Sequence, residues 1–430
     1  MSANQATVPT VKTDRFGNPI DPMVGYARGT IIDSSIAEGR RLRHGQAIAA
    51  QRVRASGADA VAVYTGNQRD LPLQVEDLAT YAEEWVGPGL FADELKEAAI
   101  RHLGGGPDDA VAAFNRTTAG IIAAICALAA DMPVVSVVPA GARSHASLPR
   151  GAKLAGVSCL EVGIDQDWRE VIRANRPALV IVTTVTSSLE RLEDNESISA
   201  VAFAQAEGSV VLLDEAYGAR LRTVLHGGMP SLHLGADISI TNCDKAGLAG
   251  PRAGIMVGRP HLVAAASAKA SEVGAEARAP IAAGALRSLQ SFNPQDLLTE
   301  SVSGQEISDA LEARLGAVVE RSDLGPMIHE DDVHAIVLQR AGNASSTLVP
   351  AETTSALGAL LLRDYGILTV NTHGQPGARV SLRLKPTLDA LRRTGGPLKV
   401  AEAVDAALDT LAAQFEDTDA ISTLILGSSR

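Results

Sequence analysis

Seven short runs between residues 110 and 258 are apolar at nearly every position. They are AVAAF (110–114), PVVSVV (133–138), SCLEV (158–162), ALVIVTTV (178–185), SVVLLDEA (209–216), ISITN (238–242) and AGIMVG (253–258). A strand with one wet face alternates apolar and polar residues, whereas a run without alternation is covered on both faces. Between several of these runs the period becomes helical, as in TTAGIIAAICALAA and ISAVAFAQAEG. Buried strands alternating with helices predict an α/β domain, with a mostly parallel seven-stranded sheet flanked by crossover helices. Residues 80–295 are assigned to it.

The pattern differs on either side. Residues 1–79 read as an N-terminal helical and extended segment. Its first 25 residues look poorly ordered, residues 30–56 are helical and charged, and YTGNQRDLPL (64–73) is a turn-rich linker. Residues 296–430 read as a smaller C-terminal α+β domain. There DLLTESVSGQEISDALEARLGAVVE predicts a long helix leaving the large domain, and HAIVLQR, ILTVNTH and ARVSLRL predict strands. ETTSALGALLLRDYG and VAEAVDAALDTLAAQF predict helices.

Composition narrows the class. With 430 residues the chain can build two packed units. A net charge of −12 argues against a nucleic-acid surface, which needs clustered Lys and Arg. RRLR (40–43) is the one basic cluster near the N-terminus and reads as a solvated helix face. Cys126, Cys159 and Cys243 are far apart without a CxxC, which fits a reducing compartment and no structural metal. No signal-peptide core opens the chain. The most apolar window is broken by Asp131 and Pro133, so no membrane span is expected and the reading is a soluble cytoplasmic protein.

Open α/β sheets bind ligands at the carboxyl ends of their strands. After AVAAF comes NRTTAG, where Asn115, Thr117 and Thr118 open a helix whose first amides could hold an anion or a phosphate. Alone, this could equally be a plain N-cap. His145 follows PVVSVVPAGA, either as a capping or solvent-facing residue or as a flat ring to stack on another. Asp214 and Glu215 end SVVLL. A buried carboxylate there needs a partner: a cap, a salt bridge, a metal or a cationic ligand nitrogen. No GxxxxGK[ST] exists to make Asp214 a nucleotide-site aspartate. Lys245 follows ISITN. Burial disfavours its ammonium form and leaves an amine nucleophilic toward carbonyls, unless it is a surface lysine paired to Asp244. GLAGPRAG (247–254) is not a GxGxxG and precedes a strand, so a nicotinamide dehydrogenase is set aside. A phosphate cradle, a flat imidazole, a carboxylate and a lysine, in that order, match pyridoxal 5'-phosphate.

The chain resembles the fold-type-I pyridoxal-phosphate enzymes, the aminotransferase-like superfamily, from about Tyr64 to the end. The pattern carrying the resemblance is Asp214, then Lys245 about 30 residues on, each closing a strand. DKAGLAGPRAGIMVG (244–258) is similar to the lysine segment of bacterial selenocysteine synthases (L-seryl-tRNA selenium transferases) and their tRNA-independent relatives. The resemblance implies an internal Schiff base on Lys245, Asp214 on the pyridinium nitrogen and His145 stacked on the ring. It implies Thr117 and Thr118 on the phosphate, with Thr241 or Asn242 and Arg252 as further contacts. PGARVSLRLKP (376–386) resembles the segment whose arginine binds the substrate carboxylate, with Arg379 first and Arg383 second. Tyr217 stands where many relatives carry histidine, beside the substrate. A homodimer or higher homo-oligomer is implied, with residues around Tyr64–Asn67 reaching the partner's site.

The expected activity is chemistry on a small amino acid or amine through a Cα carbanion, by a lyase (β-elimination) or β-replacement route. Aminotransferase or racemase activity on the same scaffold is the alternative, and a non-catalytic cofactor-binding regulator the alternative of another class. Selenocysteine synthesis itself is disfavoured, because the chain lacks a tRNA-binding surface.

Overall fold

All seven apolar runs are strands of one sheet in the computed structural model, which describes residues 12–374, 378 and 380–428. The strands are β1 (Ala110–Phe114), β2 (Val134–Val138), β3 (Cys159–Gly163), β4 (Leu179–Thr183), β5 (Val210–Asp214), β6 (Ile238–Asn242) and β7 (Gly254–Gly258). Their order is β1-β7-β6-β5-β4-β2-β3. The contiguous block from β6 to β3 is parallel throughout, while β7 runs antiparallel to both of its neighbours.

The helices follow from the same pattern: α1 (Gly87–Leu103), α2 (Thr117–Leu128), α3 (Ser147–Ala155), α4 (Trp168–Asn175), α5 (Asp194–Ala206), α6 (Pro260–Glu272) and α7 (Ala279–Gln290). Successive strand residues point to opposite faces. Leu179, Ile181, Leu212, Ile238 and Ile240 therefore pack on one side with α2 and α6, and Val180, Val182, Val211 and Leu213 on the other with α4 and α5. The central strands are dry on both faces, which is why they do not alternate, while the edge strands β1 and β3 are only partly covered. Each fully buried Val, Ile or Leu contributes about 1.5–3 kcal/mol.

Contacts divide the chain into two compact units. One is Gly66–Ser301, which holds the sheet. The other joins the described residues up to Thr65 to those from Val302 onward. Residues 12–65 are therefore built into the second unit. Ile31, Ile32, Ala62 and Tyr64 share a core with Leu357, Leu360, Leu361 and Val404. Ala62–Val63 pairs in parallel with Ile367–Leu368, and the buried Glu352 carboxylate accepts the amides of Ile31 and Ile32. The long helix predicted after residue 294 is Pro294–Leu315.

Three expectations in this second unit need correction. ILTVNTH is strand only at Ile367–Leu368 and turns helical over Val370–His373. HAIVLQR is not a strand; it lies in the helix Glu330–Ala341. His329 caps that helix through Asp331 N–H, three acids fill its first turn and Gly342 ends it at φ 73°. Val333 and Val337, four residues apart, are buried together. RRLR is not all solvated either: Arg41 is buried and donates to Ser355 Oγ at 3.1 Å and to the Gly374 carbonyl at 3.3 Å. No helix among the described residues is long and apolar enough to cross a membrane.

Candidate active site

The site is built at the carboxyl ends of β5 and β6 and at the start of α2. Asp214 is the last residue of β5 and is buried. One of its oxygens accepts from Ala216 N–H at 3.2 Å, and no lysine or arginine forms an ion pair with it among the described residues. Burial raises its pKa to about 6, against the opposing pull of the Ala216 amide and of Lys245.

Lys245 lies just beyond β6 on a turn that Gly250 N–H closes onto the Cys243 carbonyl at 2.7 Å. A Cβ on Gly250 would fall 2.6 Å from that carbonyl oxygen, so this glycine serves the turn itself. The residue after the lysine, Ala246, is held at φ 50°, a left-handed conformation uncommon outside glycine. The lysine is half-buried, and its Nζ lies 4.8 Å from the centre of the Tyr217 ring. Burial lowers its pKa, opposed by Asp244 and Asp214 and reinforced by Arg252 and Arg69.

His145 precedes α3. Its Nδ1 accepts from Ser147 N–H at 3.2 Å and meets Ser147 Oγ at 2.9 Å, so the proton of the neutral ring belongs on Nε2. His145 is exposed to solvent. Desolvation on the side facing the site lowers its pKa, with Lys245, Arg116, Arg150 and Arg252 adding to the effect.

The helix start differs from the expected N-cap. The capping position of α2 is Arg116, with extended backbone and no side-chain cap bond. Asn115 turns away: its side chain donates to the Gly274 carbonyl and its backbone N–H to that of Ala275. Thr117 Oγ1 reaches the Thr241 carbonyl at 3.5 Å, and Thr118 stands next in the first turn. A Cβ on Gly254 of β7 would lie 2.7 Å from Thr117 N, so only glycine admits the helix start this close. Arg116 and Arg252 are half-buried, and neither side chain has a hydrogen bond or ion pair among the described residues. Burial lowers the pKa of both; Arg69 adds to the effect on Arg116, and Arg116 and Arg69 add to it on Arg252, which is brought to about 9. A cation at a helix N-terminus beside other cations is unfavourable unless an anion joins them.

Thr241 and Asn242 do not face this cradle. Both are buried and committed to Arg220, which donates to Thr241 Oγ1 and Asn242 Oδ1, each at 2.9 Å. Their remaining donors go to the carbonyls of Glu215 and Ala216. Arg220 is itself fully buried. It also bonds the Ala216 carbonyl and His102 Nε2, and forms no ion pair among the described residues. Neighbouring Glu215 is paired instead with buried Arg222 at 2.6 Å. Arg383 lies buried in the other unit, with its Nε donating to Ser381 Oγ at 2.9 Å, and Arg379 lies outside the described residues.

The structure thus gathers Lys245, Asp214, His145, Tyr217, Thr117, Thr118 and Arg252 in one unit. It adds Arg69, Arg116 and Arg220, which the sequence reading missed. The signal for Arg116 was present as the polar triplet before the apolar helix, but arginine is not a preferred capping residue.

The family model for aminotransferase class I and II matches residues 83–389. A pyridoxal phosphate-dependent protein of Methanothermobacter thermautotrophicus is 32% identical over 92% of this chain and 100% of its own length. A second, from Methanosphaera stadtmanae, is 28% identical over 87% of this chain and 94% of its own. Among solved structures, the histidinol-phosphate aminotransferase of Sinorhizobium meliloti in complex with pyridoxal-5'-phosphate superposes with a TM-score of 0.56 at 19% identity. It covers 85% of this chain and 94% of that one.

Proposed function

This chain belongs to the aminotransferase class I and II family and is a pyridoxal-phosphate-dependent enzyme of fold type I, and from that premise we propose that Lys245 is the amine that captures the cofactor. The observation that carries the reading is the half-buried Lys245 amine 4.8 Å from the Tyr217 ring, with a buried Asp214 nearby that forms no ion pair among the described residues.

The residues fit the cofactor. Arg69, Arg116 and Arg252 against Asp244 leave an excess of two positive charges, which a phosphate of about −2 balances. Asp214 lacks a cation, and a protonated ring nitrogen supplies one. When bound, pyridoxal phosphate offers an aldehyde to amines and a ring that takes up the electron pair left when a substrate Cα loses its proton.

The chain's own groups do the rest. Lys245 is disposed to be a neutral nucleophile, because burial lowers its proton affinity, and once displaced by a substrate amine it can carry the Cα proton. Asp214 holds a proton at the ring nitrogen. His145 presents a neutral ring for stacking, and Ser147 fixes its orientation. Arg116, Arg252, Thr117, Thr118 and the first amides of α2 hold the phosphate. Arg379 and Arg383 remain the candidates for a substrate carboxylate, and a homodimer or a multiple of it the proposed assembly.

The substrate is a small amino acid or amine, and the reaction β-elimination or β-replacement. Similarity of residues 244–258 to lysine segments of that branch supports it. The family match favours a second reading, transamination. Holoenzyme offered a panel of amino acids separates them: ammonia released without an acceptor supports elimination, and turnover only with 2-oxoglutarate supports transamination. Borohydride treatment and peptide mapping should place a pyridoxyl group on Lys245; a tag elsewhere, or none, removes the basis of both.

A further inference from the structure

The turn that carries Lys245 is held from outside the sheet by Asn67–Arg69. Asn67 forms a β-bridge with Lys245, and Gln68 N–H donates to the Asp244 carbonyl at 3.0 Å. Arg69 Nε then lies 3.6 Å from the Asp244 carboxylate. Arg69 reaches it from φ 54°, a backbone state that is strained for an arginine and persists only where surrounding contacts enforce it.

Asp244 is a buried carboxylate, next in sequence to the amine that must lose its proton to react. An acid in that position favours the ammonium form. It makes no ion pair with Lys245 among the described residues; its ion pair is with Arg69. The other charged or titratable groups facing the amine are Asp214 from β5, Arg252 from the turn before β7, His145 from the segment before α3, and the Tyr217 ring. Arg220 faces Asp244 from behind the strand ends. Arg69 is the group that meets the Asp244 carboxylate directly and is bonded to the lysine turn through its own backbone segment.

We infer that Arg69 is a positioning residue: it engages Asp244 so that the adjacent Lys245 amine stays the neutral nucleophile. The inference rests on reading Lys245 as the amine that meets the cofactor. A strap of this kind acts before any substrate arrives, because it sets how fast the bare lysine can combine with an aldehyde.

The test uses the full-length apo-protein and a trace acylating reagent. Labelling of the Lys245 peptide is followed from about pH 6 to about pH 11, which gives the amine's own titration midpoint. Arg69→Met is expected to raise that midpoint by about one unit, leaving roughly 10-fold less neutral amine near neutral pH. In an Asp244→Asn background the same change should raise the midpoint by clearly less, since only the direct repulsion between Arg69 and the amine is then lost, and Arg69→Lys should restore most of the wild-type value. A purely structural role would lower stability without this pattern. An unmoved midpoint in Arg69→Met, or an equal shift in the Asp244→Asn background, overturns the inference. Arg69→Gln gives the same reading should Arg69→Met fail to fold. If the midpoints shift as expected but borohydride traps no pyridoxyl group at Lys245, the inference stands and the cofactor assignment falls.

Discussion

Arg220 meets Asn242 at 2.9 Å, guanidinium to side-chain oxygen, and is a fully buried cation with no carboxylate in an ion pair among the described residues. Its charge is spread over neutral acceptors at the ends of β5 and β6: the Ala216 carbonyl, and Thr241 and Asn242. Arg220→Met should leave several buried acceptors unsatisfied and lower the apo-protein's stability by about 3 kcal/mol, read by urea denaturation. Arg220→Lys, which keeps the charge but loses the fork, should fall between. A loss for Arg220→Met below about 1 kcal/mol would contradict the part assigned to these bonds.

Asp214 gives a pH signature. Its folded pKa of about 6 lies above the ordinary 3.8, so the folded state binds this proton more tightly. The stability it contributes is present below the ordinary value and is lost as the pH rises through about 6. Asp214→Asn should therefore make the apo-protein about 1–3 kcal/mol more stable than wild type near pH 7, with a flatter profile between about pH 4 and 7. The same variant should bind pyridoxal phosphate more weakly. Thermal melts of the apo-protein across pH, set beside a cofactor titration, check both signs.

Arg116 and Arg252 are the guanidiniums of the proposed phosphate cradle. Replacing either with alanine should weaken cofactor affinity roughly 10- to 100-fold, the range for a charge-assisted hydrogen bond. Inorganic phosphate should stabilise the wild-type apo-protein against heat and do so less in either variant. Unchanged affinity in Arg116→Ala would return the phosphate to the helix amides and Arg252.

Gly254→Ala tests the close approach of β7 to α2. The added Cβ meets Thr117 N at 2.7 Å, which is backbone and cannot swing aside. A cost of about 1–3 kcal/mol in stability is expected, with weaker cofactor binding as the helix start shifts. Gly396→Ala, at a glycine with nothing within contact of its Cβ, serves as the control; its φ of 100° makes any cost there one of backbone strain alone.

The sheet was legible because its central strands are dry on both faces, so seven unbroken apolar runs could hardly be anything else. HAIVLQR was not, because a short apolar run fits a strand or a buried helix turn, and the deciding residues lie outside it in the acids of Glu330–Asp332 and in Gly342. Asp214, Lys245 and His145 could be singled out because each is polar where a strand or connection predicts apolar or small residues. Arg116 was missed beside Asn115, the better capping residue by preference, which the fold turns toward Gly274. Arg69 lay in what looked like a linker. Thr241 and Asn242 were read toward the cofactor because nothing in the sequence shows that Arg220, some 20 residues upstream, occupies them from behind.

The single antiparallel strand has a consequence for how the enzyme is made. β7 sits between β1 and β6, so the strand leading to the helix start and the strand leading to the lysine are joined within the sheet by residues 254–258, beside the contact of Thr117 with the Thr241 carbonyl. On the ribosome, a nascent chain that stops short of this point holds both halves of the proposed berth without the strand that joins them in the sheet. Capture of the vitamin is therefore a late event in the chain's life, and a released fragment ending before Gly254 should remain colourless however much of it is supplied.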